Sequence, residues 1–238
     1  MPILNSIKPT HKSVVNVLYV IGFILFLVMY WFNNEPIPHT TEIVQLRSLF
    51  STDYGYFNTP VFGTIFVNLF ILYEYLSNKI ILVRYYRTSR LKAFQTYTNH
   101  LLRDSVLFGG LYILIGVTLN EFSVGRLITN IPLNLLTVIT LATTVIFLMI
   151  VGSLYRLTSS IYTSHSGLML TIFFNTTINL IAPKLKIWHP LSEVNFYSSF
   201  FHNELTIINI FSTICRLLLV LIVTLIITNY CVHREDIL

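Results

Sequence analysis

Six separate runs of roughly 20 apolar residues, set in one chain of 238, leave little choice of fold. A hydrocarbon layer about 30 Å thick is crossed by about 20 residues of helix, and only helices or closed barrels satisfy their own backbone there. The runs cover approximately Ser13–Phe32, Pro60–Val83, Asp104–Asn120, Pro132–Tyr155, Ser166–Pro183 and Leu205–Tyr230, the third and fifth being the shortest. Composition agrees. Charged residues make up 11% and hydrophobic residues 54%, whereas a soluble domain carries about 25% charged residues to cover its surface. An ordinary cytosolic enzyme, a disordered tail and a free nucleic-acid binder are excluded. The expected fold is an all-α polytopic membrane protein, a single transmembrane domain over residues 1–238.

The ends of the runs carry helix and interface markers. Tyr30 and Trp31 stand where an aromatic belt lies. Pro60 and Pro132 open runs where a missing N–H costs nothing, and Pro183 closes the fifth. Six spans put both termini on one side. With that side inside, the inner segments hold Lys8, Lys12, Lys79, Arg84, Arg87, Arg90, Lys92, Arg103, Arg156 and Arg234. The outer loops hold only Arg47, Arg126, Lys184 and Lys186. A bias of ten against four predicts cytoplasmic N- and C-termini. The net charge of +5 is therefore a matter of topology and gives no reason to expect nucleic acid.

Motifs of soluble catalysis are missing: no phosphate-binding GxxxxGK[ST] loop, no HExxH, no CxxC pair and no GxSxG elbow. The seven histidines are scattered one or two per loop, unlike the converging ligands of a metal cage. Cys215 and Cys231 fall sixteen residues apart on one helix and cannot bridge each other. Glu74 is the single carboxylate expected inside a span, where membrane-embedded catalysis would want a pair. No enzymatic chemistry and no metal are expected of this chain by itself.

Two charges, Glu74 and Arg216, fall inside spans and are expected to be buried. A charge at mid-helix costs roughly 2.5–3.5 kcal/mol even on lenient insertion scales, so each should face protein or water. Counting about 1.5 Å per residue leaves Glu74 and Arg216 offset along the membrane normal by about 10 Å. Either they pair, or each finds other polar neighbours. The second span has a polar stripe of Thr64, Asn68, Glu74, Tyr75 and Asn78. The fifth repeats it with Thr171, Asn175 and Asn179, and the fourth with Thr137, Thr140 and Thr144. Such stripes hold helices together, or line a path for substrate.

Between the second and third spans runs a basic, aromatic stretch from Arg84 to Asp104 with neither Gly nor Pro. Leu91, Phe94, Thr98, Leu101 and Leu102 recur at helical steps opposite Arg90, Lys92 and Arg103. It reads as an interfacial helix on anionic membrane lipids, as a docking helix for a cytoplasmic partner, or as both.

At residue level three elements stand out: the junction Leu82-Val-Arg-Tyr-Tyr-Arg-Thr-Ser-Arg90, the element Trp188-His-Pro-Leu191, and the ending Arg234-Glu-Asp-Ile-Leu238. Together with the span layout, they resemble the six-helix permease subunits of type-2 ABC exporters. The likeness is to the antimicrobial-peptide, lantibiotic and phenol-soluble-modulin export or immunity class of Gram-positive bacteria. The ending is similar to the Lys-Lys-Asp-Ile-type tails of these permeases. The resemblance implies a multi-pass protein of the bacterial plasma membrane. It implies a separate cytoplasmic ABC ATPase that binds ATP and Mg, no cofactor on this chain, and a second permease copy or paralogue in a homo- or heterodimer. The segment between spans two and three would be the coupling helix docked on the ATPase, through Arg87, Arg90, Leu91, Phe94, Tyr97 and Leu101. Outer re-entrant or interfacial helices before span six would form a gate from Trp188, Phe196, Tyr197 and Phe200, with Phe201 beside them. A plain interfacial anchor explains the same aromatics. A translocation cavity would be lined by Asn68, Glu74, Asn175 and Asn179, and the substrate moved outward would be an amphiphilic peptide or lipid-like molecule. An extracellular domain, present in longer family members, is absent here. Two other readings stand beside this one: an ion- or proton-coupled carrier or channel using Glu74, and a non-transporting membrane anchor or sensor that recruits a cytoplasmic partner.

Overall fold

The computed structural model of the chain describes residues 9–34, 50, 55–85, 90–124, 131–194, 196, 197, 200 and 205–234. Among these residues it is all helical, without strands. The helices are α1 (Pro9–Asn33), α2 (Thr59–Val61, a π-helical stretch Phe62–Phe66, then Val67–Tyr85), α3 (Arg90–Val124), α4 (Ile131–Ile161), α5 (Ser164–Ile181) and α6 (Ile207–Arg234). Each apolar run of the sequence lies on one of them. Five, all but α5, are long and apolar enough to cross a membrane. His165, Asn175 and Asn179 dilute the apolarity of α5, which has only 18 residues.

Local chemistry sets the helix ends. Asn58 caps α2 by accepting the Val61 N–H at 2.9 Å, with Pro60 just behind the cap. Thr163 caps α5 by accepting the Ser166 N–H at 3.3 Å. Beyond α5 the chain closes in a Schellman turn. Ile187 N–H reaches the Ala182 carbonyl at 3.0 Å and Lys186 N–H reaches Pro183 at 3.2 Å. Lys186 occupies the left-handed position, with φ 54°.

The third span differs from expectation. From Arg90 onward the basic segment is not a separate interfacial helix before a span beginning at Asp104: it forms the first turns of α3, which runs unbroken for 35 residues, roughly 52 Å. Its apolar stretch starts at Phe94. No Gly or Pro interrupts residues 90–108, and the buried stripe of Tyr97, Leu101, Phe108 and Tyr112 continues in register along one face. Asp104, expected at the membrane edge, is therefore drawn inside and is 2% exposed.

α4 is the hub, packing on α3, α5 and α6. Leu101 seats against Gly152, where a Cβ would come within 2.2 Å of its Cδ1. Tyr97 donates its hydroxyl to the Gly152 carbonyl at 2.9 Å, and the Arg156 guanidinium lies over the Tyr97 ring. Thr228 of α6 donates to the Ser153 carbonyl at 3.2 Å. The end of the bundle holding Arg90, Arg103 and Arg156 is called the basic end below, and the opposite end the aromatic end.

At the aromatic end, Trp31 of α1 donates to Asn120 Oδ1 at 2.7 Å. Tyr56 and Tyr112 exchange hydroxyl-to-carbonyl bonds at 2.9 and 3.3 Å with their rings stacked 5.1 Å apart. Such contacts matter in a bilayer, where apolar burial between helices gains nothing over lipid and packing and hydrogen bonds must hold the helices together. Cys215 and Cys231 are both free.

Candidate functional site

The polar stripes of α2 and α5 face each other and lock together through three asparagines. Asn68 Nδ2 donates to the Thr64 carbonyl at 2.6 Å and to Thr176 Oγ1 at 2.9 Å. Asn175 Nδ2 donates to the Gly63 carbonyl at 2.7 Å and to Asn68 Oδ1 at 2.9 Å. Asn179 Nδ2 donates to the same Gly63 carbonyl at 3.1 Å and to Asn175 Oδ1 at 3.0 Å. An amide has two protons to donate, and all three amides use both within the network.

The π-helical stretch makes this geometry. Val67 N–H bonds the Phe62 carbonyl five residues back, and the Gly63 carbonyl one residue on turns to α5. Residue 63 must be Gly for α5 to come this near: a Cβ there would lie 2.8 Å from Asn179 Nδ2 and 2.3 Å from Leu191 Cδ2. Single π turns inside α-helices recur at functional sites. Lower on the same face, Tyr75 OH lies 2.9 Å from His165 Nδ1 at the start of α5.

Behind Asn175 and Asn179 lies an apolar crevice of about 330 Å³ between α4 and α5, walled by Phe147, Ile150, Val151, Leu154, Phe174 and Ile178 and touching Pro190. Thr158 and Thr171 close its basic end with their hydroxyls 2.7 Å apart. Asn68 and Glu74 are not among its lining residues, so the expected cavity set divides. Asn175 and Asn179 reach a crevice, Asn68 is engaged between helices, and Glu74 is 2% exposed within the bundle.

Glu74 does not stand as the one buried carboxylate. Asp104 is buried to the same degree, and its Oδ1 accepts from Arg103 Nε at 2.9 Å. The Arg103 side chain is 64% exposed, so it covers Asp104 from outside. Both carboxylates lie within electrostatic reach of Arg103 and Tyr73. Asp104 was missed because its span was started at it; the helical register of Tyr97, Leu101 and Phe108 around it is the signal that places it inside.

Arg216 was expected to be buried, and it is not. Its side chain is 51% exposed, and Nη2 pairs with Glu193 Oε1 at 2.9 Å and with Oε2 at 3.0 Å. Glu193 ends a short 3₁₀ turn, Pro190–Glu193, and its Oε1 also accepts from Trp188 Nε1 at 2.7 Å. This turn reaches over the first turns of α6 and meets Arg216, so the charge is answered by a loop rather than by Glu74.

The expected outer-gate residues separate by burial. Trp188 is 46% exposed, Phe196 and Tyr197 are buried, and Phe200 is half-buried. Tyr197 packs against Phe50 and Phe57 with ring centroids 4.6 and 4.9 Å away, and its hydroxyl lies 3.0 Å from Thr137 Oγ1. Burial pushes its phenol up to about 12, so it stays protonated. Thr143 donates to the Val194 carbonyl at 3.0 Å, tying the same segment across α4. Phe201 and His202 lie outside the described residues.

Of the expected docking residues, Tyr97 and Leu101 are 3% and 0% exposed and belong to the contact with α4. Phe94 is half-buried. Arg87 lies outside the described residues, as do the side chains of Arg90 and Leu91. Among the described residues no three His, Cys, Asp or Glu side chains converge to hold a metal. Comparison with protein-family models, with curated proteins and with solved structures finds no match to this chain.

Proposed function

We propose that this chain is the membrane-embedded permease subunit of an ATP-driven exporter, moving an amphiphilic peptide or lipid-like molecule outward in partnership with a separate cytoplasmic ATPase and a second permease copy. The observation that carries the reading is the continuity of α3. A helix of 35 residues is longer than the roughly 30 Å hydrocarbon layer requires, so its basic start extends beyond the bilayer. Displacement of that start by a partner passes, without a hinge, to Tyr97 and Leu101 at Gly152 of α4. With the basic end at the cytoplasm, as the excess of Lys and Arg favours, the start of α3 stands where an ATPase would push. The resemblance of the sequence to type-2 ABC permeases supports the same assignment.

A second reading, an ion- or proton-coupled carrier, is favoured by one observation: two buried carboxylates, Glu74 and Asp104, in the basic half of the bundle. Intramembrane ionisable groups mark ion and proton pathways. A passive anchor has no use for two of them, which sets that reading last.

Uptake of a fluorescent amphiphilic peptide into inverted membrane vesicles separates the two. Accumulation that needs ATP and survives collapse of the proton gradient supports the permease. Accumulation driven by the gradient alone, and abolished by Glu74→Gln or Asp104→Asn, supports the carrier.

A further inference from the structure

The α4–α5 crevice runs along the bundle axis, from the Thr158–Thr171 hydroxyl pair to Asn179 and Pro190. Thr171 to Asn179 spans roughly 12 Å of helix, and the crevice along it holds about 330 Å³, whereas a helix of that length with its side chains would fill roughly 1,000 Å³. A helix with its side chains is about 10–12 Å across and does not fit; a single polymethylene chain does. The crevice opens sideways on the outer wall of the bundle. Leu154, Phe174 and Ile178 at its lips are 37%, 53% and 45% exposed.

The hydrogen-bonding groups within it are already engaged. Both protons of the Asn175 and Asn179 amides go to α2 and to each other, and the two threonine hydroxyls bond each other. A polar ligand would find no donor there. The chain that links the crevice-lining residues Asn179 and Pro190 carries Lys184 and Lys186, both exposed. Among the described residues, the carboxylate of this loop, Glu193, is held by Arg216 and Trp188. A pair of exposed cations thus stands at the aromatic end of an axial apolar slot. Bases at this depth attract anionic headgroups.

We infer that the α4–α5 crevice is a binding site for an anionic phospholipid, with one acyl chain in the slot and the phosphate beside Lys184 and Lys186. The inference needs only that the bundle spans a bilayer, and does not depend on the transport reading.

The test uses the full chain in phosphatidylcholine vesicles containing phosphatidylglycerol with a diazirine on its acyl chain, followed by photolysis and peptide mass spectrometry. Labelling of Val151, Leu154, Phe174 and Ile178 is expected to saturate as the labelled fraction rises, while labelling of Leu219 and Ile226 on α6 rises in proportion. Val151→Trp, which fills the slot, should cut labelling of Phe174 and Ile178 at least fivefold and leave α6 unchanged. Lys184→Gln with Lys186→Gln, which alters no packing, should erase the preference over an equally labelled phosphatidylcholine. Labelling of the crevice in strict proportion to α6 would overturn the assignment. Disulfide cross-linking of two Phe174→Cys chains in place of lipid labelling would also overturn it, because a second copy would then occupy the slot.

Discussion

The Gly63 carbonyl and the Asn175 amide stand 2.7 Å apart across the α2–α5 contact, and Asn179 shares that carbonyl at 3.1 Å. One backbone oxygen thus gathers two side chains of a neighbouring helix, because the π turn above it aims it outward. Polar contacts between helices in membranes are worth about 0.6 kcal/mol on average and up to about 1.7. A closed network of six donor contacts is therefore enough to fix how α5, the helix that is not long and apolar enough to count as a span, sits on α2.

Gly63→Ala is the most direct perturbation of this contact. Its Cβ would overlap Leu191 and Asn179, and overpacking costs about 1–3 kcal/mol. Thermal unfolding in detergent should show a clear fall in Tm. Gly22→Ala, where nothing lies within 4 Å, should leave Tm unchanged or slightly raised.

Asn68→Ala and Asn175→Ala should prove coupled. Each removes partners of the other through the bond at 2.9 Å, so the double variant should lose less than the sum of the singles. A double-mutant cycle on detergent stability is expected to give a coupling of about 1 kcal/mol.

Arg103→Gln should destabilise the bundle by about 1–2 kcal/mol, since it strips the charged partner from a buried carboxylate. Adding Asp104→Asn should restore most of the loss, because the orphaned charge disappears with it. Stability of the two variants measured side by side decides this. Equal stability of Arg103→Gln and the parent would contradict it.

Lys186→Gly should stabilise. Lys186 holds φ 54° in the Schellman turn, a conformation that strains a residue with a Cβ by roughly 1–2 kcal/mol and Gly not at all. The expected gain is about 1 kcal/mol, read as a rise in Tm, with Lys184→Gly showing no gain.

Apolar run length made the helices legible in the sequence, and the spacing of Asn68, Asn175 and Asn179 showed which faces of α2 and α5 are polar. The register between those faces was not legible. It depends on a π turn at Phe62–Phe66, which has no simple sequence signal. Asp104 reads as the edge of the third run because the basic segment that ends in Arg103 reads as surface. The helix instead carries that surface inward by burying Tyr97 and Leu101 on Gly152. Arg216 and Glu193 are separated by a loop, so only the folded chain brings them together.

Docking of an ATPase on the basic start of α3 is the contact on which the proposed function rests. It is tested most directly by purifying the tagged chain from its native membrane in mild detergent. A soluble ATPase should co-elute in stoichiometric amount, and should be lost from Leu91→Asp with Phe94→Asp while the parent and variant unfold at the same temperature. Purification of the parent chain without any ATPase, under several gentle conditions, would contradict it.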